Sequence, residues 1–157
     1  MGALCAKAVV LAAVAALSCA RTASADDRQW IGTANVGSVV LAYGTPDSDD
    51  MAISFSCDPA TKALAVSVIL EPADAKDGMR VDVVLASEGG QVVLNATGQH
   101  LAMDDSFLLQ ATTRLDPSLR RILTEGRTLS IRVPGSTDTI PLAGAREQAQ
   151  RLIDACA

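Results

Sequence analysis

Few residues of this chain have the type and spacing that chemistry requires. His100 is the only histidine, so any Ser-His-Asp or Cys-His arrangement has to be built around it. Its neighbours, Thr97-Gly98-Gln99 and Met103-Asp104-Asp105, look like a polar connection between strands, and no Gly-x-Ser-x-Gly elbow occurs. A lone histidine without identifiable partners is expected to be a solvated loop residue, so no catalytic residue is assigned. Asp47-Ser48-Asp49-Asp50 offers carboxylate oxygens, but it lacks the glycine and terminal glutamate that an EF-hand loop places at fixed offsets. The run is expected to be a solvated turn, and no metal site or cofactor is assigned. Asp47, Asp49 and Asp50 become instead the candidates for a partner-binding loop between Gly44 and Asp50.

The N-terminus carries Lys7, an apolar run from Ala8 to Leu17, and a small-residue stretch ending Ala23-Ser24-Ala25. Basic, apolar, then Ala-x-Ala is the layout of a secretory signal peptide, with cleavage expected after Ala25. Arg21 interrupts the run before the roughly 20 apolar residues of a membrane span are reached. A lipoprotein alternative would use Cys19, but its leucine stands two residues before the cysteine and not three. Removing 25 of the 157 residues leaves 132, the size of one domain spanning 26–157. The removed segment takes two of the thirteen basic residues and none of the eighteen acids, so the remainder carries 11 against 18, a formal charge of −7. An acidic surface of that kind disfavours nucleic acid and anionic membranes as partners.

Of the four cysteines, Cys57 and Cys156 survive the cleavage. Neither has a CxxC context, so a structural disulfide is expected in an oxidising compartment, such as the periplasm or the outside of the cell. Asn95-Ala96-Thr97 matches a glycosylation sequon, which carries no meaning in a bacterial cell. The four aromatics are Trp30, Tyr43, Phe55 and Phe107, too few for the stacked platforms that bind single-stranded nucleic acid. Trp30 lies outside any alternating run and is expected to cover the open end of the core.

The elements that must position these residues follow from hydrophobic period. From residue 38 to 111 the period is two, the mark of strands with one buried face. Strands are expected at Ser38 to Tyr43, then with Met51, Ile53, Phe55 and Cys57 inward, and then with Leu64, Val66, Val68 and Leu70 inward. The alternation continues in Val81/Val83/Leu85, Val92/Leu94 and Phe107/Leu109/Ala111, with Glu88-Gly89-Gly90 as a hairpin turn. Asp116-Pro117 has the capping residue and first-turn proline of a short helix closed by Gly126. Two more strands follow, at Leu129 to Val133 and Thr137 to Leu142. The last segment changes period, since Ala145, Ala149, Leu152 and Cys156 form one helical stripe. Cys57 and Cys156 therefore both turn inward. The fold class is mainly β, an antiparallel sandwich or a curled sheet, with one short helix and a C-terminal helix. Residues 26–36 look like a loosely held start.

Ile140-Pro141-Leu142-Ala143-Gly144-Ala145 followed by the helix ending in Cys156 resembles the close of small periplasmic proteins of the invasion-associated locus B family. It is also similar to type VI secretion-associated periplasmic proteins, and Tyr43 to Cys57 resembles their early strand pair. The resemblance implies an exported β domain without catalytic residues, in an accessory role on another envelope or secreted protein, linked to secretion or host interaction. The alternatives from the residues alone are a small periplasmic hydrolase using acids near His100, and a secreted inhibitor presenting the Gly44 to Asp50 loop.

Overall fold

The computed structural model describes residues 27–103 and 105–157, so the expected signal segment, Cys19 and Asp104 lie outside the described residues. Nine strands and two helices follow in chain order: β1 Gln29–Asn35, β2 Ser38–Gly44, β3 Met51–Asp58, β4 Ala63–Ile69, β5 Arg80–Ser87, β6 Gly90–Leu101, β7 Ser106–Thr113, α1 Pro117–Thr124, β8 Thr128–Val133, β9 Ser136–Pro141 and α2 Ala145–Cys156. All nine strands form one antiparallel sheet in the order β1-β2-β3-β4-β7-β6-β5-β8-β9, curled into a half-barrel. Of the two expected architectures, the curled sheet is therefore the one adopted. The first four strands are a meander, after which residues 70–79 carry the chain past two strand positions to β5. β5, β6 and β7 then fill back toward β4, and α1 returns the chain to β8 beside β5.

Local chemistry accounts for the joints. The β3–β4 turn is held by Asp58, whose carboxylate accepts from the N–H of Ala60 at 2.8 Å and the hydroxyl of Thr61 at 2.8 Å. α1 begins where Asp116 accepts the Leu119 N–H at 2.8 Å, ahead of Pro117, a cap worth about 1 kcal/mol. α2 begins after Gly144, whose φ of 80° admits the left-handed turn into the helix.

The concave face buries Leu41, Phe55, Cys57, Leu64, Val66, Val83, Leu85, Phe107 and Leu109, and the helices add Leu119, Ile122, Ala145, Ala149, Leu152 and Cys156. The stripe expected on the last helix is thus the one buried. Three expectations need correction. Of the segment expected to be a loose start, residues 29–35 are a paired strand, β1 meeting β2 from Gln29↔Gly44 to Asn35↔Ser38. Met51 is 40% exposed, because the register shifts between Tyr43 and Gly44 and breaks the alternation there, burying Ala52 instead. Thr97, Gly98, Gln99 and His100 are not a connection but the second half of β6, paired with β7 from Thr97↔Gln110 to Leu101↔Ser106. Gly98 permits this, since a Cβ there would run into the Phe107 ring.

α2 packs on β1, β2 and β3, and α1 on β5, β6 and α2. Four contacts hold α2 and its lead-in: the Cys57–Cys156 disulfide with Cα atoms 6.1 Å apart, Lys62 Nζ donating to the Ala155 carbonyl at 2.6 Å, the Gly32 N–H donating to Gln148 Oε1 at 3.0 Å, and Trp30 Nε1 donating to the Pro141 carbonyl at 2.7 Å. The last joins the first strand of the sheet to the ninth. Trp30, 4% exposed and tilted against Tyr43 at 5.5 Å, belongs to the core.

The disulfide closes 99 residues of sequence, for which loop-closure entropy is worth on the order of 4 kcal/mol. Cys57→Ala/Cys156→Ala should lower the unfolding free energy by about that much in urea titration, and a loss below about 1 kcal/mol would assign the docking of α2 to packing alone. Gly32→Ala places a Cβ 2.6 Å from the Gln148 carbonyl oxygen, and should cost about 1 to 3 kcal/mol by prising α2 from β1.

Candidate functional site

The strand register sorts the loops into two ends. The pairings Gln29↔Gly44, Gly44↔Met51, Ile69↔Leu108 and Leu101↔Ser106 gather residues 27–28, 44–50, 70–79, 102–103 and 105 at one end. Among the described residues, these segments carry Asp27, Asp47, Asp49, Asp50, Glu71, Asp74, Asp77 and Asp105 against only Arg28 and Lys76. This is the acidic end.

Two of its carboxylates are engaged. Asp50 accepts from Arg28 Nε at 3.0 Å and Nη2 at 2.7 Å, and from the Thr45 hydroxyl at 3.0 Å. The Arg28 hydrogen bonds, with help from Thr45, hold its carboxyl below the usual carboxylate range. The loop is closed on itself by the Thr45 N–H donating to the Asp50 carbonyl at 2.9 Å. Of the three acids expected to form a partner-binding loop, Asp50 therefore braces the turn. Asp47, at φ 58°, and Asp49 are exposed, and neither side chain makes a hydrogen bond or ion pair among the described residues.

Asp77 accepts the backbone N–H of His100 at 2.7 Å and lies 2.8 Å from His100 Nδ1, while the imidazole meets the Phe107 ring edge-on at 4.8 Å. The backbone donor first, and the imidazole second, lower the Asp77 carboxyl. The histidine's acid thus comes from 23 residues away in the crossing connection and not from Asp105 beside it. A carboxylate and a phenyl ring hold the imidazole, and it is half-exposed at a strand end.

Beside the acidic loop, the convex face carries a shallow depression of about 250 Å³ walled by Met51, Ile69, Leu101 and Leu108. Ser54 and Ser67 form part of its floor and Asp49 stands on its rim. These apolar residues lie off the buried stripes, at the ends of four strands that the topology brings together.

The other end is different in charge. The β8–β9 turn lies with the acidic end, where Pro134 and Ser136 bond Ala73 and Glu71; residues 114–127 and 145–157, which contain the two helices, carry six arginines, no lysine and four acids. Here α1 follows β7, and α2 returns to the end of β3 through the disulfide. A depression of about 560 Å³ is lined by Leu115, Asp116, Pro117, Arg120, Arg121, Thr124, Glu125 and Ala157, so that both signs of charge border it. Arg146 is spent on the Thr124 carbonyl, and Asp116 on the helix cap. The side chains of Arg120 and Arg121 are exposed and make no hydrogen bond or ion pair among the described residues. The sequence shows this arginine run plainly, but a net charge taken over the whole chain averages it away.

Among the described residues, no group of three or more His, Cys, Asp or Glu side chains is placed to hold a metal ion, and no helix is long and apolar enough to cross a membrane.

The depressed carboxyls of Asp50 and Asp77 fix a sign. Their folded-state values lie below the unfolded ones, so the braces they form are present above the ordinary aspartate value near 3.9 and are lost as pH falls through the lowered ones. In His100→Ala the N–H of residue 100 remains, so a carbon-detected NMR titration should still find Asp77 below ordinary aspartate. A return to about 3.9 would mean that the imidazole, and not the backbone, holds it.

No family model, curated protein or solved structure matches the chain.

Proposed function

We propose that this chain is an exported, non-enzymatic binding protein that acts on another envelope or secreted protein through its acidic end. One observation carries the proposal: half-exposed apolar side chains from four strands meet beside a braced loop whose Asp47 and Asp49 are uncommitted. Surface apolar residues gathered into a depression with a charged rim are a usual form of protein contact. The chemistry selects a basic, partly apolar segment of the partner, since acids on the rim steer and orient while apolar burial holds. A disulfide spanning most of the domain suits an oxidising compartment. The resemblance of Ile140 to Cys156 to the invasion-associated locus B family and to type VI secretion-associated periplasmic proteins points the same way.

The experiment is capture from envelope extract by the immobilised protein, followed by titration of whatever is captured. Met51→Asp/Leu108→Asp, at positions that are already partly exposed, should keep the wild-type melting transition and weaken the captured partner at least about tenfold. Capture of nothing, or equal capture by the variant, would overturn the proposal.

A further inference from the structure

We infer that the depression beside the acidic loop seats one lysine or arginine side chain of an extended partner segment, and that Asp49 is the residue that selects it. This rests on the contact surface proposed above and adds what that surface recognises. The strand register makes the hollow. Ser54 and Ser67 stand opposite each other across β3 and β4, and two residues on, Ile69 stands opposite Leu108 across β4 and β7. A row of serines beside a row of large apolar side chains leaves a step in the surface, which Leu101 and the outward-turned Met51 help to wall. Its volume, about 250 Å³, falls below the roughly 300 to 1,000 Å³ of sites that enclose a small molecule. It suits a single side chain.

Charge chooses which one. Among the described residues Asp49 is the only charged group that lines the depression, the rest being the two serines and apolar side chains. The Asp49 side chain is exposed and makes no hydrogen bond or ion pair among the described residues. Of the two bases at this end, Arg28 is held by Asp50 and Lys76 does not line the depression. The matching cation therefore comes from outside the chain. A charged head on three or four methylenes fits both parts, since the stem covers apolar surface while the head stays in water beside the carboxylate. Ser54 and Ser67 are half-buried and make no side-chain hydrogen bond among the described residues, which leaves their hydroxyls for the amides of the segment.

NMR titration of the purified, disulfide-bonded protein with the peptide acetyl-Ala-Lys-Ala-amide tests this. Two control peptides replace the lysine: norleucine keeps the stem without the charge, and diaminopropionate keeps the charge without the stem. The lysine peptide should shift the resonances of Met51, Ile69, Leu101 and Leu108 saturably, in the millimolar range. Each control should bind at least about threefold more weakly, as should the lysine peptide to Asp49→Asn, with a smaller effect of Asp47→Asn. The inference is overturned by no saturable shift, by shifts centred elsewhere, by a control that binds as well as lysine, or by Asp49→Asn binding unchanged or no worse than Asp47→Asn. Shifts of Met51 and Leu108 that follow protein concentration alone would assign the depression to a second copy and overturn it too. Capture from extract is a separate result. A captured partner without lysine binding keeps the contact surface and removes the basic side chain, and lysine binding with nothing captured does the reverse.

Discussion

An open curled sheet has two free edges and an uncovered end, and the docking of α2 is what makes this one a closed body. The helix is covalently tied to β3 through Cys57–Cys156 and hydrogen-bonded to β1 through Gly32 and Gln148, while Trp30 links β1 to β9 at Pro141. Small residues make the approach possible. Ala145 and Ala149 are fully buried on the helix, and Gly32 leaves the space that the Gln148 backbone occupies. The same docking protects the first edge strand, since the outward N–H of Gly32 is used and is not left as a template for another strand.

Closure in this form also determines where function can be. Phe55, Phe107, Leu41, Leu64, Leu85, Ile122 and Leu152 occupy the inside of the curl, so the half-barrel is packed like a core and not built as a container. Two surfaces remain, and the topology sets their charge. The crossing connection of residues 70–79 and the β2–β3 loop bring acids to one end, and both helices, with their arginines, lie toward the other.

Most of the fold was legible because most of the strands from β2 to β8 bury apolar residues at a period of two over much of their length, and α2 buries a stripe at the helical period. What was not legible has specific causes. β1 alternates Trp30, Gly32 and Ala34, but the α2 backbone at Gln148 occupies the space above Gly32 and Ala34 is exposed, so neither position carries a large apolar side chain. This hides the period. β6 continues through Thr97-Gly98-Gln99-His100, where the glycine that looks like a turn signal is there to admit the Phe107 ring. Met51 looks like a core residue until the bulge at Tyr43/Gly44 turns it outward.

The candidate site was less legible than the fold for a related reason. The acidic loop could be picked out as a local run, but its division into a brace, Asp50, and uncommitted acids, Asp47 and Asp49, depends on Arg28, which reaches it only because β1 is a strand. The Asp77–His100 pair and the depression around Met51 and Leu108 likewise join positions far apart in sequence, across a crossing that no periodicity announces. Periodicity reports which face of an element is buried; it is silent on which ends meet. Since the interior here is filled, chemistry and recognition fall to those ends, and the register of the strands is the information that decides them.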